Sequence, residues 1–144
     1  MVSNALKHTP PLGMFGQITP RKGTDHPNTI DLKHSGIVPI VNLARVYALA
    51  GGIHTANTHD RLVACAHTHE ISEQSSRDLQ DALEFLGKLR IAHQARQTTD
   101  DLAPDNYLSL NELSNFERSH LKDAFNVVQT LQGVLSQRYA GARF

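Results

Sequence analysis

The chain has 144 residues, 40% of them hydrophobic, and its 14 basic side chains balance its 14 acidic ones. This length fits one domain, and the balanced charge argues against nucleic acid as a partner, because neutralising phosphates needs an excess or a stripe of basic residues. The single cysteine, Cys65, excludes an internal disulfide and favours the cytoplasm. No apolar run approaches the roughly 20 residues that span a bilayer, so we expect no membrane segment. The N-terminus lacks a basic stretch followed by an apolar core, so we expect no signal peptide.

Residues 1–30 are rich in proline, glycine, threonine and histidine, which interrupt the chain too often for a long helix or strand. We interpret 1–30 as a linker-like arm that leads out of a preceding domain, and 31–144 as a helical domain. Four apolar side chains predict that part of the arm packs on this domain: Leu12, Met14, Phe15 and Ile18.

The rest of the sequence predicts an all-α fold, a bundle of about four to five helices. A helix that is apolar on nearly every side, and therefore buried all round, begins near Pro39 and ends before Gly51. Thr58 caps the start of a short helix, and Ser72 caps a long one that runs to about Gln97.

The last helix has the clearest amphipathic pattern in the chain. It follows a predicted loop over 98–111, and Ser114 with Glu117 forms a capping box at its start. The only strand candidate in the sequence is 29–33, so no sheet of useful size is expected.

Polar residues stand where the helical patterns predict apolar ones, and they are our candidate site. Asn42 and Arg45 share a face of the buried helix, and a buried arginine there must pair with an anion, because an unpaired buried charge is very costly. The stripe of the long helix continues in three polar residues: Arg90, His93 and Gln94. The other candidates lie beside the shorter elements: Asp31, Lys33, Thr58 and Arg61.

Two interpretations of these arginines stay open at this point. Their planar guanidinium groups are suited to hold phosphate or carboxylate of a ligand. They are equally suited to internal pairs, for example Asp31 with Arg45 or Arg90, that only fix the geometry of the bundle.

The sequence lacks the motifs of several kinds of binding site. The sequence contains no phosphate-binding glycine loop, no dinucleotide fingerprint, no zinc spacing of cysteine pairs and no spaced carboxylate pair for Mg²⁺. His67, His69 and Glu70 lie close together, but residues two apart do not share a helical face. We expect no metal ligand and no catalytic residue in this chain, and a packing role for Cys65.

Four stretches of the sequence, in this order, carry a resemblance: Ile30–Leu49; Asn57-Thr58 with Arg61-Leu62; Leu89–Gln94; and Leu113-Ser114, Glu117-Arg118 and Leu121–Phe125. Together they resemble the substrate-binding domain family of nucleotidyltransferases, and Pro11-Leu12-Gly13 resembles the usual entry to that domain. The resemblance covers nearly the whole chain.

The resemblance implies a C-terminal helical domain of a bacterial signal-transduction protein, preceded by a cyclic nucleotide-binding module, a pair of CBS modules and a nucleotidyltransferase domain. It looks like the helical partner in glutamine-synthetase adenylyltransferases and nitrogen-regulator uridylyltransferases. In that arrangement the catalytic domain of the same polypeptide holds Mg²⁺ and a nucleoside triphosphate. The helical domain closes the other side of the cleft and binds the nucleotide or the acceptor substrate, without a cofactor or a catalytic residue of its own.

Three hypotheses follow. In the first, the domain completes the nucleotidyltransferase cleft, and Arg45, Arg61, Arg90 and His93 gather at one end of the bundle beside a cleft that solvent reaches. In the second, it is a structural or interaction module, which docks the nucleotidyltransferase domain or forms a homodimer. The third, an independent enzyme that uses a metal at the histidine cluster, lacks a visible nucleophile or ligand set.

Overall fold

The computed structural model describes residues 2–14, 16–22 and 25–139. These residues form five α-helices and two short strands, which confirms the all-α prediction. In chain order the elements are α1 Val2–Lys7, β1 Thr29–Asp31, α2 Val38–Ala50, α3 Thr58–Cys65, α4 Glu73–Thr99, β2 Tyr107–Ser109 and α5 Asn115–Arg138. A π-helical turn, Lys33–Ile37, leads into α2, and a 3₁₀ turn, Leu110–Glu112, precedes α5.

The two strands pair antiparallel, with Asp31 opposite Tyr107 and Thr29 opposite Ser109. The N–H of Leu32 extends the pairing, since it donates to the carbonyl oxygen of Asn106 at 2.8 Å. The strand candidate at 29–33 is therefore confirmed over its first three residues. The loop predicted over 98–111 is wrong at β2, because a strand of three residues is too short to show an alternating pattern.

The core lies between α2, α4 and α5, and one glycine sets how closely they approach. A Cβ atom on Gly36 would lie 2.9 Å from Cδ1 of Leu86 and 3.4 Å from Cε1 of Phe125. The π-helical turn therefore lies directly on α4 and α5. The apolar stripes predicted for α4 and α5 supply most of this core, with Leu79, Leu86, Leu121, Phe125, Val128 and Leu135 buried.

Helix α2 is not buried all round, which corrects the expectation for Arg45. Seven of its residues are buried, but Arg45, Leu49 and Ala50 are exposed on its outer side. The N-terminal helix α1 covers only part of that side, where Asn42 Nδ2 donates to the carbonyl oxygen of Asn4 at 3.3 Å. Arg45 makes no ion pair within the described part of the chain. Its charge therefore stays in water.

The N-terminal arm is tied to the body through α5. The side chain of Gln132 donates to the carbonyl oxygens of Ala5 and His8, at 3.1 and 2.6 Å. Leu12 and Ile18 form an isolated β-bridge and pack on the core, as predicted. Met14 is 92% exposed, so that prediction is wrong, and Phe15 lies outside the described residues.

The helix starts follow local capping rules. Ser72 caps α4, and Ser114 with Glu117 makes the predicted capping box on α5. For α3 the prediction is off by one residue, because Asn57 Oδ1 accepts from the Asp60 N–H at 3.1 Å, and Thr58 is the first helical residue. None of the helices in the described ranges is both long and apolar enough to cross a membrane.

Candidate functional site

The segment from Asp105 to Glu112, which contains β2, is held at the C-terminal half of α4 by polar residues of that helix. We call this region the polar end of the domain: Asp31, Arg90, His93 and Gln94 together with 105–112. Its central contact is His93, which is 3% exposed in side-chain area and lies between two carboxylates. Nε2 is 3.0 Å from Asp105 Oδ1, and Nδ1 is 3.0 Å from Glu112 Oε2.

Each ring nitrogen of His93 faces a carboxylate oxygen. The two contacts tie α4 to both ends of the 105–112 segment. This makes His93 a buried anchor whose ring nitrogens are both occupied.

Arg90 and Gln94 hold the same segment at Asn106. Arg90 Nε donates to Asn106 Oδ1 at 2.7 Å, and Gln94 Nε2 donates to the carbonyl oxygen of Asp105 at 3.1 Å. Within the described chain, the terminal nitrogens of Arg90 have no hydrogen-bond partner, and they are not among the buried unpaired atoms. They therefore reach solvent at the polar end.

Asp31 lies at the end of β1, opposite Tyr107 of β2, and is buried. Its carboxylate accepts from the His34 N–H at 3.0 Å, contacts His34 Nδ1 at 3.0 Å and lies 3.8 Å from Arg21 Nη1. Its partners are thus neither Arg45 nor Arg90, which corrects the suggested internal pairs. The Arg21 guanidinium also lies 5.0 Å from the ring centre of Tyr107, the strand partner of Asp31.

The surroundings of Asp105 change the acidity of its carboxyl group. Burial raises the pKa of Asp105, but the hydrogen bond from His93, the Tyr107 N–H at 3.0 Å and Gln97 together hold that pKa below its ordinary value. The charged form of Asp105 is therefore the one that the fold stabilises.

An open depression of about 300 Å³ lies beside the 105–112 segment, where Leu110 meets α5 and the N-terminal arm. Two cationic side chains line it, Arg118 and Lys122. Arg118 Nε donates to the carbonyl oxygen of Leu110 at 3.0 Å, while Lys122 is exposed and makes no ion pair with any residue that the structure describes.

Sequence reasoning missed Arg118 and Lys122 as site residues. The signal was available, because both stand inside the fourth of the family-like stretches. They were overlooked because solvated charges on the polar side of an amphipathic helix are the usual case.

Lys33 belongs beside the polar end. It follows Leu32, whose N–H donates to Asn106, and its own side chain is exposed and unpaired among the described residues. The structure therefore brings together five of the nine candidate residues at this end: Asp31, Lys33, Arg90, His93 and Gln94.

The other four candidates lie elsewhere, so the predicted gathering of all four cationic residues at one end is wrong. Leu62, next to Arg61, accepts a hydrogen bond from Ser76 Oγ at the start of α4. Arg90 is about 21 Å further along that helix at 1.5 Å per residue. Arg61 instead donates from Nε to the carbonyl oxygen of Thr55 at 2.8 Å, which fixes the loop after α2. Thr58 begins α3 near Arg61, and Asn42 and Arg45 lie on the outer side of α2.

The histidine cluster after α3 does not form a ligand set. His67 and His69 are exposed, and Glu70 forms an ion pair with Arg138 at the end of α5. No group of three metal-binding side chains occurs within residues 2–14, 16–22 and 25–139. Cys65 is buried in the core, and that burial raises the pKa of its thiol although Arg61 lowers it slightly.

A family model described as the putative nucleotidyltransferase substrate binding domain matches residues 1–139. The chain therefore belongs to this family, and the resemblance carried by the four stretches is confirmed. Comparison with curated proteins and with solved structures gave no match.

Proposed function

We propose that this chain is a non-catalytic helical domain that completes the active-site cleft of a nucleotidyltransferase domain and binds its substrate. In this proposal the two domains belong to one polypeptide, a bacterial signal-transduction protein. The partner domain supplies Mg²⁺ and the chemistry. The family membership supports the substrate-binding part of this proposal.

The observation that carries the proposal is that the 105–112 segment contacts residues from three family-like stretches and borders one open depression. Asp31 comes from the first, Arg90 from the third and Arg118 from the fourth, and the 105–112 segment connects them. Two cationic side chains line that depression, Arg118 and Lys122. Cationic side chains at a concave surface are suited to bind a phosphorylated substrate.

A thermal-shift and calorimetric titration with ATP, UTP, CTP and GTP, each with and without Mg²⁺, tests this function. We expect one nucleotide to raise the unfolding midpoint, because a ligand at 100 times its dissociation constant adds about 2.7 kcal/mol to stability. The double variant Arg118→Ala with Lys122→Ala should lose that shift. The double variant Lys7→Ala with Arg77→Ala, which removes two exposed cations elsewhere, should keep it.

One observation favours a second candidate, a structural module that docks the nucleotidyltransferase domain or dimerises without binding substrate. Arg90, His93 and Gln94 all form hydrogen bonds with the 105–112 segment, so part of the candidate site acts as an internal anchor. Two results together would favour this candidate over the first. No nucleotide would raise the unfolding midpoint, and the double variant Arg118→Ala with Lys122→Ala would still bind the catalytic domain.

A further inference from the structure

A continuous groove runs along the outer side of α4 and α5. Three open depressions of about 250, 200 and 280 Å³ adjoin one another there. The first two share Asp78 and Val127, and the last two share Asp81 and His120. We call this surface the α4/α5 groove. It extends along α4 from Ser75 to Lys88, about 20 Å at 1.5 Å per residue, and includes no residue of the polar end.

The floor of the groove is apolar. Ala82 and Ala124 form its middle, where small side chains let a partner approach the two helix backbones. Val127 is partly buried beside them. At the far end the ring of Phe85 stacks on His120, with 3.8 Å between the ring centres.

Two exposed apolar side chains continue the groove at the His120 end. Phe116 is 91% exposed and stands one helical turn before His120, while Ile91 is 71% exposed and stands three residues after Lys88. Side chains three or four apart share a helix face, so both lie in line with the groove. Exposed apolar groups gathered at a concave surface mark an interaction site, and an aromatic residue there is a typical anchor.

The walls of the groove are acidic. Four carboxylates line it, Asp78, Asp81 and Glu84 on α4 and Asp123 on α5. Lys88 is the only lysine or arginine among the lining residues, and it is ion-paired with Glu84 at 3.0 Å. Asp81 and Asp123, on opposite walls, have no hydrogen bond or ion pair within the described chain. Their charges are complementary to a basic partner.

The same charges argue against a second copy of this chain as the occupant. A two-fold symmetric contact would place the groove against itself, and the unpaired aspartates would then face aspartates. Like charges across an interface are unfavourable. A basic partner, by contrast, neutralises both walls at once.

We propose that the α4/α5 groove docks an amphipathic helix of a partner polypeptide, with an apolar face flanked by lysines or arginines. The apolar face lies on Ala82, Ala124 and Val127, with a side chain against Phe116, and the basic flanks pair with Asp81 and Asp123. Such a helix in a groove is a recurring mode of recognition, and a groove of this length takes about four turns. The inference is independent of nucleotide binding at the polar end.

The test uses the full chain and a synthetic helical peptide with leucines on one face and lysines along both edges of that face. Fluorescence anisotropy gives the Kd, and amide chemical shifts give the location. We expect micromolar binding that weakens with salt, with shifts along α4 and α5. A peptide with glutamate in place of every lysine should not bind.

Matched variants distinguish binding at the groove from non-specific binding of the peptide. Asp81→Asn with Asp123→Asn should raise the Kd roughly tenfold, as should Phe116→Ala, because each removes one of the two kinds of contact. Asp25→Asn with Asp100→Asn, and Met14→Ala, change exposed residues elsewhere and should leave it unchanged.

Four outcomes would overturn the proposal. They are equal binding of the glutamate peptide, an unchanged Kd in the groove variants, shifts that map to another surface, and no binding of the lysine peptide at millimolar concentration. Sedimentation adds a fifth, since a dimer that Phe116→Ala dissociates would make a second copy the occupant. Loss of nucleotide binding at Arg118 and Lys122 has no bearing on any of these readouts.

Discussion

His93 Nε2 lies 3.0 Å from Asp105 Oδ1, and this contact joins a helix to a strand segment that no regular pattern would bring together. Helix α4 ends at Thr99, and the chain then turns back so that Asp105 reaches the helix again. The return is held by this contact at a buried ring and by Leu108 of β2, which is fully buried in the core. The position of β2, and with it the polar end, therefore depends on both.

His93→Ala should lower the free energy of unfolding by about 2–3 kcal/mol. The substitution leaves two carboxylates without their shared partner, and unpairing a buried ionic group is strongly destabilising. The expected loss is smaller than for a fully buried ion pair, because the side chains of Asp105 and Glu112 are about a third exposed. Urea denaturation measures it, with His69→Ala as the exposed control. Equal stability of the two variants would contradict the anchoring role.

Asp105 predicts a specific loss of stability in acid. Its pKa in the folded state is lowered, so its contribution is fully present above the unfolded value of about 4 and is lost as the pH falls from there through the folded pKa. Asp105→Asn keeps an oxygen for the Tyr107 N–H but removes the charge. Unfolding free energies measured at a series of pH values should fall less steeply below about pH 4 in this variant. Parallel curves for the two proteins would refute the assignment.

Arg45→Ala should change stability by less than about 0.5 kcal/mol. The side chain is exposed and unpaired within the described residues, so no buried anion is left behind. Arg61→Ala is the matched comparison, because its Nε holds the Thr55 carbonyl oxygen, and it should lose about 1 kcal/mol. Chemical denaturation of both variants checks the difference. A loss of several kcal/mol for Arg45 would restore the original expectation of a buried charge.

Gly36→Ala should destabilise the domain by about 1–3 kcal/mol, the usual range for overpacking a core. Its new methyl group would lie 2.9 Å from Leu86 Cδ1, so the helices would have to separate. Gly87→Ala, with no atom within 4 Å of the added carbon, should stabilise the domain by about 0.5–1 kcal/mol through higher helix propensity. Thermal and urea unfolding of both variants should show stability changes of opposite sign. A change of the same sign in the two variants would argue against the close contact at Gly36.

Features determined by a few neighbouring residues were predictable from the sequence. The capping box at Ser114 and Glu117 needs only four positions, and the apolar stripe of α5 needs only helical spacing. Arg45 was misjudged because α2 is apolar on most sides. A sequence pattern of that kind cannot say which side the tertiary fold leaves uncovered.

The candidate site was predictable only in part, because its contacts span the loop after α4. The polar continuation at Arg90, His93 and Gln94 was visible in the helical period, but their partners Asp105 and Asn106 stood in a stretch that looked like a turn. Arg61 was a candidate beside the short helix, and the packing of α3 at the start of α4 places it far from Arg90.

The pairing of β1 with β2 has a consequence for how the domain assembles. These strands come from opposite sides of α2, α3 and α4 in the chain, so closing them carries a loop-entropy penalty that only the packed helices offset. Contacts of such long sequence separation form late in folding. A molecule that binds at the polar end therefore meets only the completed fold, and its binding energy is coupled to the cooperative unfolding of the whole domain.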